Sequence, residues 1–210
     1  MTRPVLLLAI VLVVPRGDSR SQGVAFGVHG GLNMANISTD DPELAGRSAL
    51  SGFAAGPFVT LEVTGFLGLQ VEGLYSQKGV EVNSEEGYGR IHVDYVEIPV
   101  LAKVGLPGAT GAVRPYILAG VAFGIQAECW LYDSADATEW DCDEQDVEIN
   151  PRDTGLLAGG EVRVLLGPLF LSAGIRHTWG LKSLVREDET FSVKNRVWAV
   201  LLGLGIRFGK

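Results

Sequence analysis

The sequence has 210 residues, of which 47% are hydrophobic and 20% are charged, and its formal net charge is −8. A chain of this length is expected to form one domain. The excess of acidic residues argues against a nucleic-acid partner, because nucleic-acid binding requires a basic face.

Residues 1–23 have the pattern of a secretory signal peptide. Arg3 gives a positive start, residues 5–14 are an unbroken apolar run, and the small pair Ser21 and Gly23 predicts cleavage after Gly23. Such a run is too short to span a membrane as a helix, and the alternative is a buried N-terminal helix or strand. Cleavage removes three basic residues and one acidic residue, so the mature domain, residues 24–210, has a net charge of −10.

Eight segments of the mature domain alternate bulky apolar residues with small or polar ones, as β-strands with two different faces do. They cover residues 24–35, 51–62, 66–79, 91–105, 114–127, 153–166, 168–180 and 195–210. The last segment is the clearest. Its even-numbered positions from Trp198 to Phe208 are bulky, and its odd-numbered positions are mostly small. The spacing of Trp198 and Phe208 is about the length that a tilted strand needs to cross a bilayer.

The connections between these segments alternate in length. Short turns lie near residues 63–65, 106–113 and 167–168, and longer polar loops near residues 36–50, 80–90, 128–152 and 181–194. This layout is typical of outer-membrane barrels, in which the turns face the periplasm and the loops face outside. After the signal no apolar run is long enough for a transmembrane helix, so membrane insertion would require a barrel.

The two faces of the strands favour a membrane barrel over a soluble, lipocalin-like one. With the bulky face inside, the outer surface would be Gly, Ala and Ser with one or two charges per strand, far fewer than water-exposed surfaces carry. The sequence therefore predicts an all-β fold, an eight-stranded antiparallel transmembrane β-barrel with its bulky face toward lipid. Charged residues of the small face would then pair inside the lumen, as a network of Glu72, Glu97, Lys103, Glu161, Arg163, Arg176 and Arg207.

Two details of the fourth segment lead to further predictions. Glu97 and Lys103 lie about 20 Å apart along the strand, too far to pair with each other. We therefore expect Glu97 to pair with one of three arginines, and Lys103 with one of two glutamates. The candidates are Arg163, Arg176 or Arg207 for Glu97, and Glu72 or Glu161 for Lys103.

Pro99 has no N–H to donate, which predicts a bulge or a missing inter-strand bond.

Five stretches carry a family resemblance: GGLN at residues 30–33, YSQKG at 75–79, DYVEIPVLAK at 94–103, PYILAG at 115–120 and DTGLLAGG at 153–160. Together they resemble the PorT-like outer-membrane β-barrel domain, often called a porin family domain. The third stretch, with proline inside a strand, is the most specific. The resemblance implies a small barrel in the outer membrane of a Gram-negative envelope, and it implies no activity. The chain departs from the pattern at its end, Phe208-Gly209-Lys210, because outer-membrane proteins commonly end on an aromatic residue.

Residues 128–153 form an unusually acidic loop, with ten acidic residues against Arg152 alone. Cys129 and Cys142 are predicted to form a disulfide in an exported chain. The ring so closed would stabilise the loop by about 3 kcal/mol, and a redox role is the alternative. Asp141, Asp143, Asp146 and Glu148 are a weak candidate for Ca²⁺ binding, because they offer oxygens without the glycine and register of an EF-hand loop.

No catalytic or cofactor signature is recognisable. His29, His92 and His177 are scattered without metal-site spacing, and neither a GxSxG motif nor a dinucleotide motif occurs. The sequence therefore predicts a non-enzymatic protein with no cofactor. Its role would be structural or interactive, exerted through long acidic extracellular loops, with outer-membrane lipid and an envelope protein as partners. Three alternatives stay open. The first is a narrow porin or transport- or secretion-associated component, for which the lumen charges would form a conduction path. The others are a membrane-embedded enzyme, for which the sequence shows no residue signature, and a soluble lipocalin-like ligand-binding barrel.

Overall fold

A computed structural model describes residues 23–39, 47–64, 66–84, 87–106, 111–134, 138–142, 150–183 and 193–209. Except for Gly23, which begins the first strand, the predicted signal peptide lies outside these ranges. Within them, no helix is long and apolar enough to cross a membrane.

The described chain folds into ten β-strands. They are β1 Gly23–Thr39, β2 Arg47–Glu62, β3 Leu67–Glu72, β4 Leu74–Ser84, β5 Gly87–Gly105, β6 Val113–Asp133, β7 Thr138–Asp141, β8 Arg152–Leu166, β9 Leu169–Gly180 and β10 Val193–Phe208. All neighbours pair antiparallel, in the circular order β1, β2, β3 with β4, β5, β6, β8, β9, β10 and back to β1. Because β3 and β4 are two parts of one strand and β7 pairs with β6 beside the ring, the barrel has eight strands, which confirms the predicted fold.

Side chains along the strands alternate between the two surfaces as predicted. Leu202 is 64% exposed on the outside of the ring, whereas its neighbour Leu201 is 5% exposed in the lumen. The same outward row of β10 includes Trp198, Val200, Leu204, Ile206 and Phe208. An apolar exterior around a polar interior is the reverse of a lipocalin-like soluble barrel, and it matches a lipid surround.

The strands extend beyond their predicted limits at the end of the barrel that carries the long connections, which we call the loop end. β5 begins at Gly87, and β6 continues to Asp133, where it turns back as β7. The sequence predicted a loop there, because the alternation of bulky outward and small inward residues holds only along the apolar band. The opposite end, with the short connections, is called the turn end.

Pro99 lies beside an interruption of the sheet. The pairing of β5 with β6 is regular through Pro99 and Ala122, but the pairing of β5 with its other neighbour is broken between Val71 and Leu74. Gly73 occupies this break, and its N–H donates to the carbonyl of Pro57 on β2 at 2.9 Å. Pro57 and Pro99 cannot donate a backbone hydrogen bond in return, because proline has no N–H. The expected missing bond is therefore found on one side of Pro99, whereas the register shift of β5 lies at Asp94 and Tyr95.

Neighbouring strands approach most closely where glycines face the lumen. A Cβ added at Gly31 on β1 would overlap the carbonyl oxygen of Val200 and lie 2.8 Å from the Cα of Leu201 on β10. Both contacts are backbone atoms, which cannot move aside without distorting the ring. At the adjacent, outward Gly30, a Cβ would meet no atom within 4 Å.

Replacing Gly31 with alanine is therefore expected to lower the free energy of unfolding by about 1–3 kcal/mol, the usual cost of overpacking. Urea unfolding of the barrel in lipid vesicles would measure the change. Gly30→Ala is the matched control and should unfold close to wild type. Equal stability of the two variants would show that β1 and β10 are not in the close contact described.

Candidate functional site

A network of buried charges crosses the lumen around Glu72. Arg176 Nη1 on β9 donates to Glu72 Oε2 at 2.6 Å, and Gln70 Nε2 donates to Glu72 Oε1 at 2.7 Å. His29 Nδ1 on β1 lies 3.6 Å from Glu72 Oε1. Strands β3 and β9 stand on opposite sides of the ring, so this ion pair ties the two walls together.

The network continues toward the turn end through Lys103 on β5. Its ammonium group pairs with Glu161 on β8 and donates to Gln70 Oε1 at 3.3 Å. Arg163 Nε lies 3.4 Å from Glu161 Oε1. Lys103 thus pairs with Glu161, which is one of the two glutamates predicted as its partner.

Arg207, the last of the predicted lumen residues at this end, lies at the mouth of the barrel. Its Nε donates to Glu62 Oε2 at 2.8 Å, and both side chains are partly exposed. Glu62 was not singled out from the sequence, because it sits at the last position of its strand, next to a turn.

Aromatic rings fill the space between these charges. His29 stacks on Phe58 with ring centroids 4.2 Å apart, and Phe58 lies 6.2 Å from Phe170. The guanidinium carbon of Arg163 lies 3.9 Å from the Phe170 ring centroid. Side chains from β1, β2, β8 and β9 therefore meet in the lumen, which leaves little room along the barrel axis.

A second cluster of charges lies nearer the loop end and is centred on Lys78 of β4. Lys78 Nζ lies 2.7 Å from Glu97 Oε1 and 3.2 Å from Asp153 Oδ2. Asn195 Nδ2 donates to Asp153 Oδ2 at 2.8 Å. The expectation of an arginine partner for Glu97 is wrong, because Glu97 pairs with Lys78 instead. The two residues are four positions apart in register, and their long side chains meet in the lumen. Lys78 lies on the same face of its strand as Glu72, so alternation alone could have identified it.

The loop ends of β4, β5, β6 and β7 form a small sheet above the apolar band, which we call the loop-end sheet. Its outer side carries an aromatic face made of Tyr88, His92, Trp130 and Tyr132. The rings of His92 and Trp130 are stacked, with centroids 3.8 Å apart and planes 3° from parallel. Tyr88 and Tyr132 lie 6.1 Å apart.

Charged side chains border the aromatic face. Arg90 lies over the Tyr88 ring at 4.6 Å, and its Nε donates to Glu81 Oε2 at 2.8 Å. On the far edge, Glu139 and Asp141 of β7 are exposed, and they pair in register with Tyr132 and Trp130.

The inner side of the loop-end sheet holds the disulfide. Cys129 on β6 is bonded to Cys142 just after β7, and both are buried against Val93 and Tyr95. Of the weak calcium candidates, Asp143, Asp146 and Glu148 lie outside the described residues, and Asp141 lies in β7. Among the described residues, no group of three or more His, Cys, Asp or Glu side chains could hold a metal ion.

Loss of the disulfide is expected to loosen residues 128–152 without unfolding the barrel. The chain-entropy estimate gives about 3 kcal/mol for a ring of this size, and that stabilisation acts on the loop rather than on the lipid-embedded strands. Limited proteolysis should cleave this segment faster after reduction or in a C129S/C142S variant, while the folded form keeps its mobility on unboiled gels. Equal cleavage rates with and without reductant would contradict this expectation.

Comparison with known proteins supports the architecture. A family model described as the outer membrane protein beta-barrel domain matches residues 17–186. The outer membrane protein OprG of Pseudomonas aeruginosa is similar in structure, with a TM-score of 0.61 and 13% sequence identity over 91% of this chain and 98% of that one. Neisserial surface protein A is also similar, with a TM-score of 0.50 and 14% identity over 88% of this chain and 99% of that one. At such identities the likeness to solved structures shows the fold alone. No curated protein matches the sequence.

The family match spans most of the chain, and its description agrees with the closed ring and the apolar exterior. The outer membrane is accordingly the location of the protein, and the chain belongs to the outer membrane protein beta-barrel domain family.

Proposed function

We propose that this protein is a closed, non-enzymatic barrel that binds a protein partner outside the cell through the aromatic face of the loop-end sheet. In outer-membrane barrels the long loops face outside, so this face would project beyond the lipid. The observation that carries the proposal is the stacked pair of His92 on β5 and Trp130 on the neighbouring, disulfide-linked hairpin of β6 and β7.

The aromatic face has the composition of a protein-binding surface. Aromatic side chains and arginine are enriched at interfaces and contribute much of their binding energy. The hairpin of β6 and β7 is anchored by the Cys129–Cys142 bond and by the buried side chain of Val93 beneath it. A rigid face loses little conformational entropy on binding. The exposed carboxylates of Glu139 and Asp141 favour a partner that carries basic residues around an apolar centre.

The filled lumen supports a binding role over a channel role. The ion pair of Glu72 with Arg176 spans the lumen, and the rings of Phe58 and Phe170 occupy the same region. An eight-stranded barrel is only wide enough for its side chains to fill it.

Site-specific photo-crosslinking would test the binding role. A photoreactive amino acid at position 130 should give a discrete protein adduct in intact outer membranes. The same amino acid at position 198, where Trp198 is outward and 47% exposed in the apolar band, is the control and should crosslink to lipid. The binding proposal fails if position 130 gives no adduct, or gives the same adducts as position 198.

The alternative is a narrow pore or a transport- or secretion-associated component, which is the role that the PorT-like resemblance would favour. Conductance across a planar bilayer separates this alternative from the closed barrel. We expect no stepwise conductance from the purified, folded protein. Reproducible conductance steps that change size in an R176Q variant would favour the pore.

A further inference from the structure

A cavity lies at the turn end of the lumen. It is a small recess, partly open to solvent. Its outer rim is the turn between β2 and β3, including Thr64 and Phe66, and its inner wall includes Lys103, Arg114 and Arg163. Because the short turns of outer-membrane barrels face the periplasm, the cavity opens on that side.

Arg163 is the most unusual side chain in the cavity wall. It is 1% exposed, yet none of its three guanidinium nitrogens has a hydrogen-bond partner among the described residues. The carboxylate oxygens of Glu161 and Glu62 lie 3.4 Å and 3.8 Å away. A buried guanidinium group without hydrogen bonds is unfavourable, because its lost hydration is not replaced.

Arg114 adds a second cation at the same place. It lies on β6 directly opposite Arg163 on β8, on the same face of the sheet, and its buried Nε also has no partner among the described residues. Like charges opposite each other on neighbouring strands repel and destabilise the sheet. An additional negative charge beside the two guanidinium groups would relieve this repulsion.

The carboxylates of the cavity are already shared by other cations. Glu62 accepts from Arg207, and Glu161 pairs with Lys103. Among the described residues, four cations therefore surround two carboxylates at this end of the lumen, and they are Lys103, Arg114, Arg163 and Arg207. The excess of positive charge lies at Arg114 and Arg163, where hydrogen-bond donors are also in excess.

We propose that this cavity binds one oxyanion group, a carboxylate or a phosphate, that enters from the periplasm and lies between Arg114 and Arg163. Guanidinium groups donate two parallel hydrogen bonds to such groups, and an oxyanion has enough lone pairs to accept from both arginines. Thr64 Oγ1 accepts from the N–H of Leu67 at 3.0 Å, which leaves its own O–H able to donate into the cavity.

The site is distinct from the aromatic face, because it lies at the opposite end of the barrel and involves none of the same strand ends. A protein partner outside the cell and an anionic ligand in the periplasm can therefore be tested separately.

Thermal unfolding of the purified, folded protein in detergent micelles would test the site. At fixed chloride concentration and ionic strength, inorganic phosphate and acetate are titrated separately, and the midpoint of unfolding is recorded. Binding to the folded state raises the midpoint in a saturable manner, whereas the general stabilising effect of phosphate on proteins does not saturate. Saturation with phosphate alone assigns a phosphate site, and saturation with acetate alone assigns a carboxylate site.

Variants make the test specific. R163Q and R114Q are each expected to weaken the apparent affinity by about tenfold or more, because each removes charged hydrogen bonds. R163K should recover the affinity only in part, since lysine keeps the charge without the planar fork. R152Q removes an exposed arginine at the loop end and should bind like wild type. If R163Q does not fold, R114Q alone decides. No saturable shift with either anion, or an undiminished shift in R114Q, would overturn the proposal.

Discussion

Replacing Lys78 with methionine is expected to lower the free energy of unfolding of the barrel by about 3–5 kcal/mol, the cost of breaking a buried ion pair from one side. Lys78 is 3% exposed and pairs with both Glu97 and Asp153, which are themselves buried. Methionine fills a similar volume without the charge. The variant thus leaves two carboxylates close together without the ammonium group that they share.

The Lys78 prediction is checked by urea unfolding in lipid vesicles. A K78M/E97Q double variant should regain part of the lost stability, because one of the two carboxylates is then neutral. The matched control is K182M, which makes the same substitution at an exposed position of the loop end and should change stability little. Wild-type stability in K78M would mean that water reaches this cluster and that the lumen is hydrated near the loop end.

Replacing Leu202 with arginine is expected to destabilise the barrel by about 2–4 kcal/mol, the cost of placing a cation on the lipid face near mid-membrane. Leu202 is central in the outward row that runs from Trp198 to Phe208 on β10. The cost arises because the hydrocarbon core does not solvate the cation, so it depends on how deep the substituted residue lies in the bilayer. Phe208→Arg, in the same row but at its end, should cost only about 0–1 kcal/mol.

Equilibrium unfolding in vesicles of fixed lipid composition would measure both arginine variants. Repeating the comparison in bilayers of a thinner lipid should reduce the difference, because position 202 then lies closer to an interface. Equal stability of L202R and wild type would mean that Leu202 does not face lipid.

Alternation along the strands was enough to predict the ring. The outward rows are mostly bulky, that of β10 is uninterrupted, and only one surface of a small barrel can accept such rows. The partners of the lumen charges could not be predicted in the same way. The backbone pairs Glu97 with Leu74 and Lys78 with Val93, and the contact of Lys78 with Glu97 is made by their long side chains across four positions. Alternation assigns a residue to a face, but it gives neither the register nor the direction of such side chains.

The loop-end sheet escaped prediction for a different reason. In the membrane part of β6 the odd-numbered apolar residues, such as Phe123 and Ile125, face outward. At the register shift beside Tyr95, β6 has one extra residue, Ala127, and the odd-numbered Cys129 and Leu131 beyond it face inward. Beyond Ala127 the bulky outward residues are the even-numbered Trp130 and Tyr132, so the alternation changes phase there. The sequence pattern therefore ended the strand at residue 127 and missed its continuation above the apolar band.

The pairing of β1 with β10 has a consequence for how the protein is made. Val24 lies opposite Phe208, so the first and last strands of the barrel are hydrogen-bonded neighbours. A nascent chain that has delivered only its first seven strands has two open sheet edges, and lipid offers no hydrogen bonds to satisfy them. The ring therefore cannot close before β10 is present, and until then its open edges must be kept from pairing with other chains.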